Sequence, residues 1–272
     1  KRNILAHYDL GNELYTQFLD PSMMYSSAIY PDAKATLDEA QQHKLKTICE
    51  KLSLGENDHL LEIGTGWGGL AIYAAQNYGC NVTTTTISDA QFDYAKNKID
   101  ELNLGDKITL LKEDYRNLTG SFDKVVSIEM IEAVGYEYLP SFFQQCNDRL
   151  KEGGKLLIQS ITIADQRFDY YRKNVDFIQR YIFPGGFLPS INILSQHITS
   201  HSSLVMESLD DIGLDYAKTL ADWRTNFLLS WPHLSTLGYD NTFKRLWLYY
   251  FAYCEGAFLE RSTSTVHLVA RK

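Results

Sequence analysis

The sequence predicts an α/β fold, a mostly parallel sheet with helices packed on both faces. Between His59 and Ile163, short apolar or β-branched runs alternate with amphipathic stretches, the pattern of parallel strands joined by crossover helices. The runs FDKVVSIEM and KLLIQSITI are rich in Val, Ile and Leu, as strands covered on both faces must be. A glycine-rich turn, GTGWGG, joins the first strand to the first crossover helix, where open α/β sheets bind ligands.

The elements follow in order. Residues 1–35 are dense in aromatic and turn residues and read as a helical cap or lid; His7 in HYDLG reads as structural. Thr36 starts a helix with Glu39 at the capping-box position, and Leu37, Ala40, Leu45, Ile48 and Leu52 form its apolar face. HLLEI is the first strand, followed by the glycine turn and a helix through Ala75. NVTTTTI is the second strand, and Ser88 caps the next helix with Gln91 three residues on. KITLL and FDKVVSIEM are the third and fourth strands. Glu137 to Leu150 is predicted helical and stopped by Gly153-Gly154. KLLIQSITI is the fifth strand. An insertion over 164–203 carries YIFPGGFLPS, helices are predicted around 218–229 and 241–260, and TVHLVARK reads as an edge strand.

A chain of 272 residues can bury one large core. Its net charge of −8 argues against nucleic-acid partners and against bulk attraction to anionic lipid. Arg167, Arg172, Lys173 and Arg180 could still form a local basic patch. Cys49, Cys80, Cys146 and Cys254 form no CxxC and no metal-ligand spacing, so no metal is expected, and they read as reduced core thiols of a cytoplasmic protein. No apolar run approaches the roughly 18 residues that span a bilayer.

The strongest local signal is the turn from Glu62 through Gly64, Gly66, Gly68 and Gly69. Glycine permits the tight turn and lets a ligand approach the backbone. Gly64, Gly66 and Gly69 match GxGxxG, but the second strand ends in Thr86-Ile87-Ser88 with no acid for a dinucleotide ribose. The acid before the glycines, Glu62, is typical of S-adenosylmethionine (SAM) loops. A dinucleotide site and a purely structural turn are the alternatives.

Further segments carry a resemblance. HYDLGNELYTQFLDPSMMYSSAIY, LEIGTGWGG, ISDAQ, VSIEMIEAVG, YIFPGGFLPS, DYAKTLADW and FAYCEGAF occur in one order over nearly the whole chain. In them the sequence resembles the cyclopropane fatty acid synthases and mycolic acid cyclopropane synthases, and most the plant and bacterial branch with EMIEAVG. The resemblance implies a Rossmann-like class I SAM-dependent methyltransferase, with a seven-stranded mostly parallel sheet, an N-terminal helical cap and an insertion after the fifth strand. It implies one domain over 1–272, with a cap at 1–58, a SAM-binding core at 59–163, a substrate-side insertion at 164–203 and the rest of the core at 204–272. The chain begins at Lys1, so a preceding segment is expected; full-length bacterial synthases often carry a further N-terminal domain.

The resemblance also implies site residues. Tyr25 and Ser26 would cover the methionine end of SAM, Gly64, Gly66 and Gly68 would approach it beside Glu62, Thr86 and Gln91 would lie near the ribose, and Tyr115 and Arg116 would border the adenine. By themselves, Tyr25 and Tyr115 are equally explained by core packing, and Thr86 and Gln91 by helix capping. Members of this family methylate a cis double bond in a phospholipid acyl chain, leaving a cation that must survive in an apolar tunnel until a base takes its proton. The resemblance makes that base a bicarbonate, held at the positions of Thr65, Glu132, Gln159, Ile161 and Tyr216. Glu132 is the first choice for the acid that orients it. Alone it would read as a helix-start acid, Tyr216 as a tyrosine at a helix start, and Glu129 as a second pocket acid or a strand residue facing a helix. Two positions depart from the family, which usually has Cys at 65 and often His at 159; Gln159 can donate a hydrogen bond but cannot titrate. The product is therefore a cyclopropane or a methyl- or methylene-branched chain. The Pro184-Gly185-Gly186 turn would shape the tunnel mouth, and one or two of Trp247, Tyr249, Tyr250, Phe251 and Tyr253 would line it. The expected partners are an acyl lipid, a membrane surface contacted transiently from the cytoplasmic side, and a second copy in a homodimer. The rival is a small-molecule N- or C-methyltransferase; plant amine N-methyltransferases share an ExxE segment followed by His, where this chain has Ala133. A SAM-binding protein without catalysis is a third reading.

Overall fold

The computed structural model describes residues 11–272; His7 lies outside them. The first element among the described residues is a single turn, α1 (Asn12–Tyr15). Thr36 and Glu39 form the expected reciprocal capping box at the start of α2 (Leu37–Lys51). The buried stripe of α2 contains Leu37, Ala40, Leu45 and Ile48, but also Gln41 and Lys44.

The α/β pattern then runs as β1 (His59–Ile63), α3 (Gly69–Tyr78), β2 (Asn81–Thr85), α4 (Asp89–Glu101), β3 (Ile108–Leu111), β4 (Phe122–Ile128), α5 (Leu139–Arg149) and β5 (Leu150–Ile163). The insertion carries α6 (Asp165–Tyr171), α7 (Phe177–Tyr181) and α8 (Ile191–His201). β6 (Val205–Asp211), two long helices, α9 (Gly213–Thr236) and α10 (Asn241–Leu259), and β7 (Thr263–Arg271) complete the chain. The seven strands lie in the order β3-β2-β1-β4-β5-β7-β6. β1 pairs in parallel with both β2 and β4, so the chain reverses direction across the sheet there. That switch point opens a crevice beyond the carboxyl ends of β1 and β4.

Two expectations need correction. TVHLVARK is not an edge: β7 lies antiparallel between β5 and β6, with Leu156 opposite Ala270 and Leu157 opposite Val269. Thr265 to Ala270 are all buried, because apolar residues on both faces of a strand need neighbours on both sides. The edge is β6, whose acidic VMESLDD concealed it; charge on an exposed edge also discourages intermolecular pairing. Gly153-Gly154 does not stop a helix. The helix ends at Arg149, and the pair lies within β5, where a Cβ on Gly154 would come 2.7 Å from the Asp123 carbonyl oxygen. The helix expected from Glu137 is α5, which begins at Leu139, directly after a 3₁₀ turn over Tyr136–Tyr138. The predicted C-terminal helices are present, the first longer than expected.

Behind the crevice, the cap packs on α9 and α10. Tyr15, Phe18, Trp67, Trp223, Trp247 and Phe251 form a buried aromatic cluster there, in tilted and edge-on contacts such as Tyr15–Trp67 at 4.8 Å and Phe18–Phe251 at 5.6 Å. Each such ring contributes up to about 3 kcal/mol on burial. The cluster thus anchors Tyr25 to Ser27 over the sheet. Tyr249 and Tyr253 of the same α10 motif face solvent.

Candidate functional site

Two cavities occupy the crevice. One, of about 430 Å³, is lined by Tyr25, Ser26, Glu62, Gly64, Thr65, Gly66, Thr86, Gln91, Tyr115 and Arg116. The structure thus gathers every expected SAM contact except Gly68. Gly68 caps α3 with φ +95°, and a Cβ there would meet the Ala95 side chain at 3.3 Å; its glycine serves helix packing. The second cavity, of about 470 Å³, lies between the insertion and α10 and is lined by Glu132, Ile161, Phe183, Leu188, Tyr216 and Tyr250 among others. Tyr253 and Pro184-Gly185-Gly186 also border it. Tyr25, Glu129 and Ala133 line both cavities, so the wall between them includes one carboxylate.

The glycine-turn cavity is held by short polar links. Thr65 Oγ1 lies 2.7 Å from Thr84 Oγ1, which donates to Glu62 Oε2 at 2.6 Å. Thr65 therefore faces the glycine-turn cavity and is not brought to Glu132. Ser88 accepts from the Gln91 N–H, as a cap should, but the Gln91 side chain accepts from Thr86 Oγ1 at 3.0 Å instead of closing the box. Arg116 pairs with Asp114, at 2.9 and 2.7 Å, and Tyr115 packs edge-on against Phe142. Burial raises the Glu62 carboxyl to about 8, with the Thr84 hydrogen bond opposing. A carboxyl that holds its proton up to pH 8 when folded, but only to its ordinary 4.5 when unfolded, stabilises the fold fully below about 4.5. That contribution is lost as pH rises through about 8. Glu62→Gln is therefore expected to flatten the fall in melting temperature of the ligand-free protein between pH 5 and 8, by thermal unfolding at several pH values; an unchanged slope would refute the assignment.

The acidic pair forms the other centre. Glu129 directly follows β4 and holds φ +47°, an uncommon conformation for a residue with a side chain. Its Oε1 accepts from the Ser27 N–H at 3.0 Å and Gln159 Nε2 at 2.8 Å, and its Oε2 from the Tyr216 hydroxyl at 2.7 Å. Glu132 Oε1 accepts from the Ile161 N–H at 2.6 Å and Ser160 Oγ at 3.2 Å; its Oε2 is buried without a hydrogen-bond partner. Burial first, and the neighbouring Glu129 second, push the Glu132 carboxyl up to about 8. Burial also raises Glu129, against which its three donors and the buried Lys44 act. Gln159 lies beneath this centre, fully buried. Its Nε2 also donates to the Ser27 carbonyl, and its Oε1 pairs with His267 Nε2 at 2.8 Å.

Five contributors were not assigned to the site from sequence. Glu129 was open between two roles. Ser27 is an ordinary serine in the cap. Lys44, fully buried, donates to Ser26 Oγ at 2.7 Å, and Gln41 donates to the Ser26 carbonyl at 3.0 Å. The signal was available in α2, where two polar residues sit in an apolar stripe with a period of three and four. His267 is likewise a polar residue inside an apolar strand. No group of metal ligands occurs among the described residues.

This geometry accompanies clear relationships. The chain is 43% identical, over 256 residues, to the cyclopropane-fatty-acyl-phospholipid synthase of Escherichia coli K12, covering 94% of this chain and 64% of that one. It is 37% identical over 265 residues to the tuberculostearic acid methyltransferase UfaA1 of Mycobacterium tuberculosis, covering 95% and 62%. It therefore spans less than two thirds of the length of these curated relatives. The crystal structure of the mycolic acid cyclopropane synthase CmaA1 complexed with SAH and CTAB superposes with a TM-score of 0.92 at 26% identity, over 100% of this chain and 98% of that one. The family model described as mycolic acid cyclopropane synthetase matches residues 1–268, and the chain belongs to that family.

Proposed function

We propose that this chain transfers the methyl group of SAM to the cis double bond of an unsaturated phospholipid acyl chain, giving a cyclopropane or a methyl- or methylene-branched chain. The observation that carries the reading is the pair of cavities meeting at Tyr25, Glu129 and Ala133. The glycine-turn cavity has the size and polar lining for SAM, which supplies an electrophilic sulfonium methyl. Glu62, Thr86 and Gln91 bind and orient it; Gly64 and Gly66 let it reach the backbone. The second cavity suits an apolar chain: Ile161, Phe183, Leu188 and Phe258 line it and exclude water. An alkene is a weak nucleophile, so close positioning of the two reactants supplies much of the rate. Aromatic faces at Tyr25 and Tyr250 can stabilise the cation on the acyl chain.

The names of the curated relatives and the SAH in the CmaA1 structure support this reading. So does the mouth of the second cavity, where exposed Tyr170 and Val175 lie beside Arg167, a combination suited to transient contact with a lipid surface from the cytoplasmic side. No helix of the described residues is long and apolar enough to cross a membrane. The test is incubation with SAM and phospholipid vesicles bearing monounsaturated chains, followed by mass spectrometry of the acyl chains. A gain of one CH₂ is expected, and proton NMR distinguishes a ring from a branch. Turnover of amines without any gain in lipid mass would favour the small-molecule reading instead.

A further inference from the structure

We infer that Glu129 is this chain's own proton acceptor, a built-in carboxylate standing where the family resemblance would place a bicarbonate. The inference rests on the proposed acyl-methylating reaction and deepens it. The groups expected to hold a bicarbonate were the side chains of Gln159, Tyr216, Thr65 and Glu132 and the Ile161 position. Gln159 Nε2 and the Tyr216 hydroxyl both donate to Glu129, at 2.8 and 2.7 Å, and the Ser27 N–H joins them at 3.0 Å. The Ile161 N–H is taken by Glu132 at 2.6 Å, and Thr65 is bonded to Thr84 on the other side of the glycine turn. A free anion placed here would displace a carboxylate already bound by three donors and would add negative charge beside it. The residues present do not fit bicarbonate.

The amide orientation that makes this cradle is fixed by a chain of hydrogen bonds. Lys51 can only donate, so His267 Nδ1, 3.2 Å from Lys51 Nζ, accepts. His267 Nε2 then carries the hydrogen and donates to Gln159 Oε1 at 2.8 Å. That turns the Gln159 NH₂ toward Glu129 and the Ser27 carbonyl. Gln159 does not titrate, and in this arrangement it need not: it holds the base that does. His267 is a positioning residue in the same chain.

Two further observations agree. Glu129 lines both cavities, so its carboxylate borders the place where methyl donor and alkene meet. Its left-handed backbone, φ +47°, is uncommon for a residue other than glycine and is the kind of strain that clusters at functional sites. In the step assigned to it, a C–H bond of the transferred methyl group breaks, and its electron pair forms the third ring bond to the cationic carbon; if the C–H bond that breaks is instead on a carbon next to the cation, its electron pair forms a double bond. The proton goes to a Glu129 oxygen and is lost to water after the product leaves.

The experiment compares wild type, Glu129→Gly and Glu129→Gln in CO₂-free buffer, with and without added bicarbonate, on the same lipid vesicles and SAM. Glycine suits the positive φ, so Glu129→Gly removes the carboxylate without straining the backbone. Wild-type turnover is expected to be indifferent to bicarbonate. Both variants are expected to lose about 100-fold or more, and bicarbonate should partly restore Glu129→Gly alone, whose emptied cradle can accept it. Binding of ¹³C-bicarbonate by NMR, free of any lipid assay, should be absent in wild type and present in Glu129→Gly. Severalfold stimulation of wild type by bicarbonate, bicarbonate binding to wild type, or full activity in Glu129→Gly would each overturn the inference. If wild type leaves the lipid unmethylated, the functional reading fails, and the NMR comparison still decides whether Glu129 fills an anion site.

Discussion

Gly64→Val is expected to abolish useful cofactor binding, with the dissociation constant for SAM rising about 100-fold or more. Gly64 directly follows β1 at φ +103°, and an ideal Cβ there would lie 3.1 and 3.2 Å from Met130 Cγ and Cβ. Valine adds a branched side chain in a backbone region that L-residues avoid, at about 1–3 kcal/mol, and overpacks Met130 by a similar amount. The chain can relieve neither without moving the turn, because the N–H groups of Gly64 and Thr65 are tied to the Thr85 carbonyl at 3.1 and 3.0 Å. Each 1.4 kcal/mol is tenfold in affinity, so about 3 kcal/mol suffices for the loss. Calorimetric titration with SAM measures it. A dissociation constant within about threefold of wild type would show that the turn is not the cofactor floor.

Ala257→Trp acts on the other cavity. Ala257 lies half-buried on α10, in the wall of the 470 Å³ cavity beside Cys254 and Phe258. An indole there takes up length that an acyl chain would occupy. Each methylene denied burial costs about 0.8 kcal/mol, so excluding four costs about 3 kcal/mol, or roughly 200-fold in turnover of long-chain lipid at low substrate concentration. Ala257 does not line the glycine-turn cavity, so SAM binding should be unchanged. Unimpaired methylation of long acyl chains with the tunnel so blocked would place the substrate elsewhere.

Much of the protein was legible in its residues. β1, β2, β4 and β5 announce themselves as apolar or β-branched runs, and Thr36, Glu39 and Ser88 mark helix starts, because these signals are local. The glycine turn and its acid located the 430 Å³ cavity for the same reason: tight turns need glycine wherever they occur. β6 was concealed because an edge strand can be acidic, and Gly153-Gly154 misled because a glycine pair serves a helix stop and a strand bend alike. Lys44 and His267 were visible as polar intruders in apolar stripes, but what they face depends on elements tens to hundreds of residues away.

The sequence by itself determined the α/β alternation, the glycine turn and the family, each a matter of short-range pattern or ordered motifs. Only the tertiary structure decided what the acids touch. Ser27 from the cap, Glu129 after β4, Gln159 on β5, Tyr216 on α9 and His267 on β7 meet at one point. Hydrogen bonds form between groups about 3 Å apart whatever their separation along the chain. Which donors a buried carboxylate collects, and whether any remain for a free anion, is therefore a property of the fold.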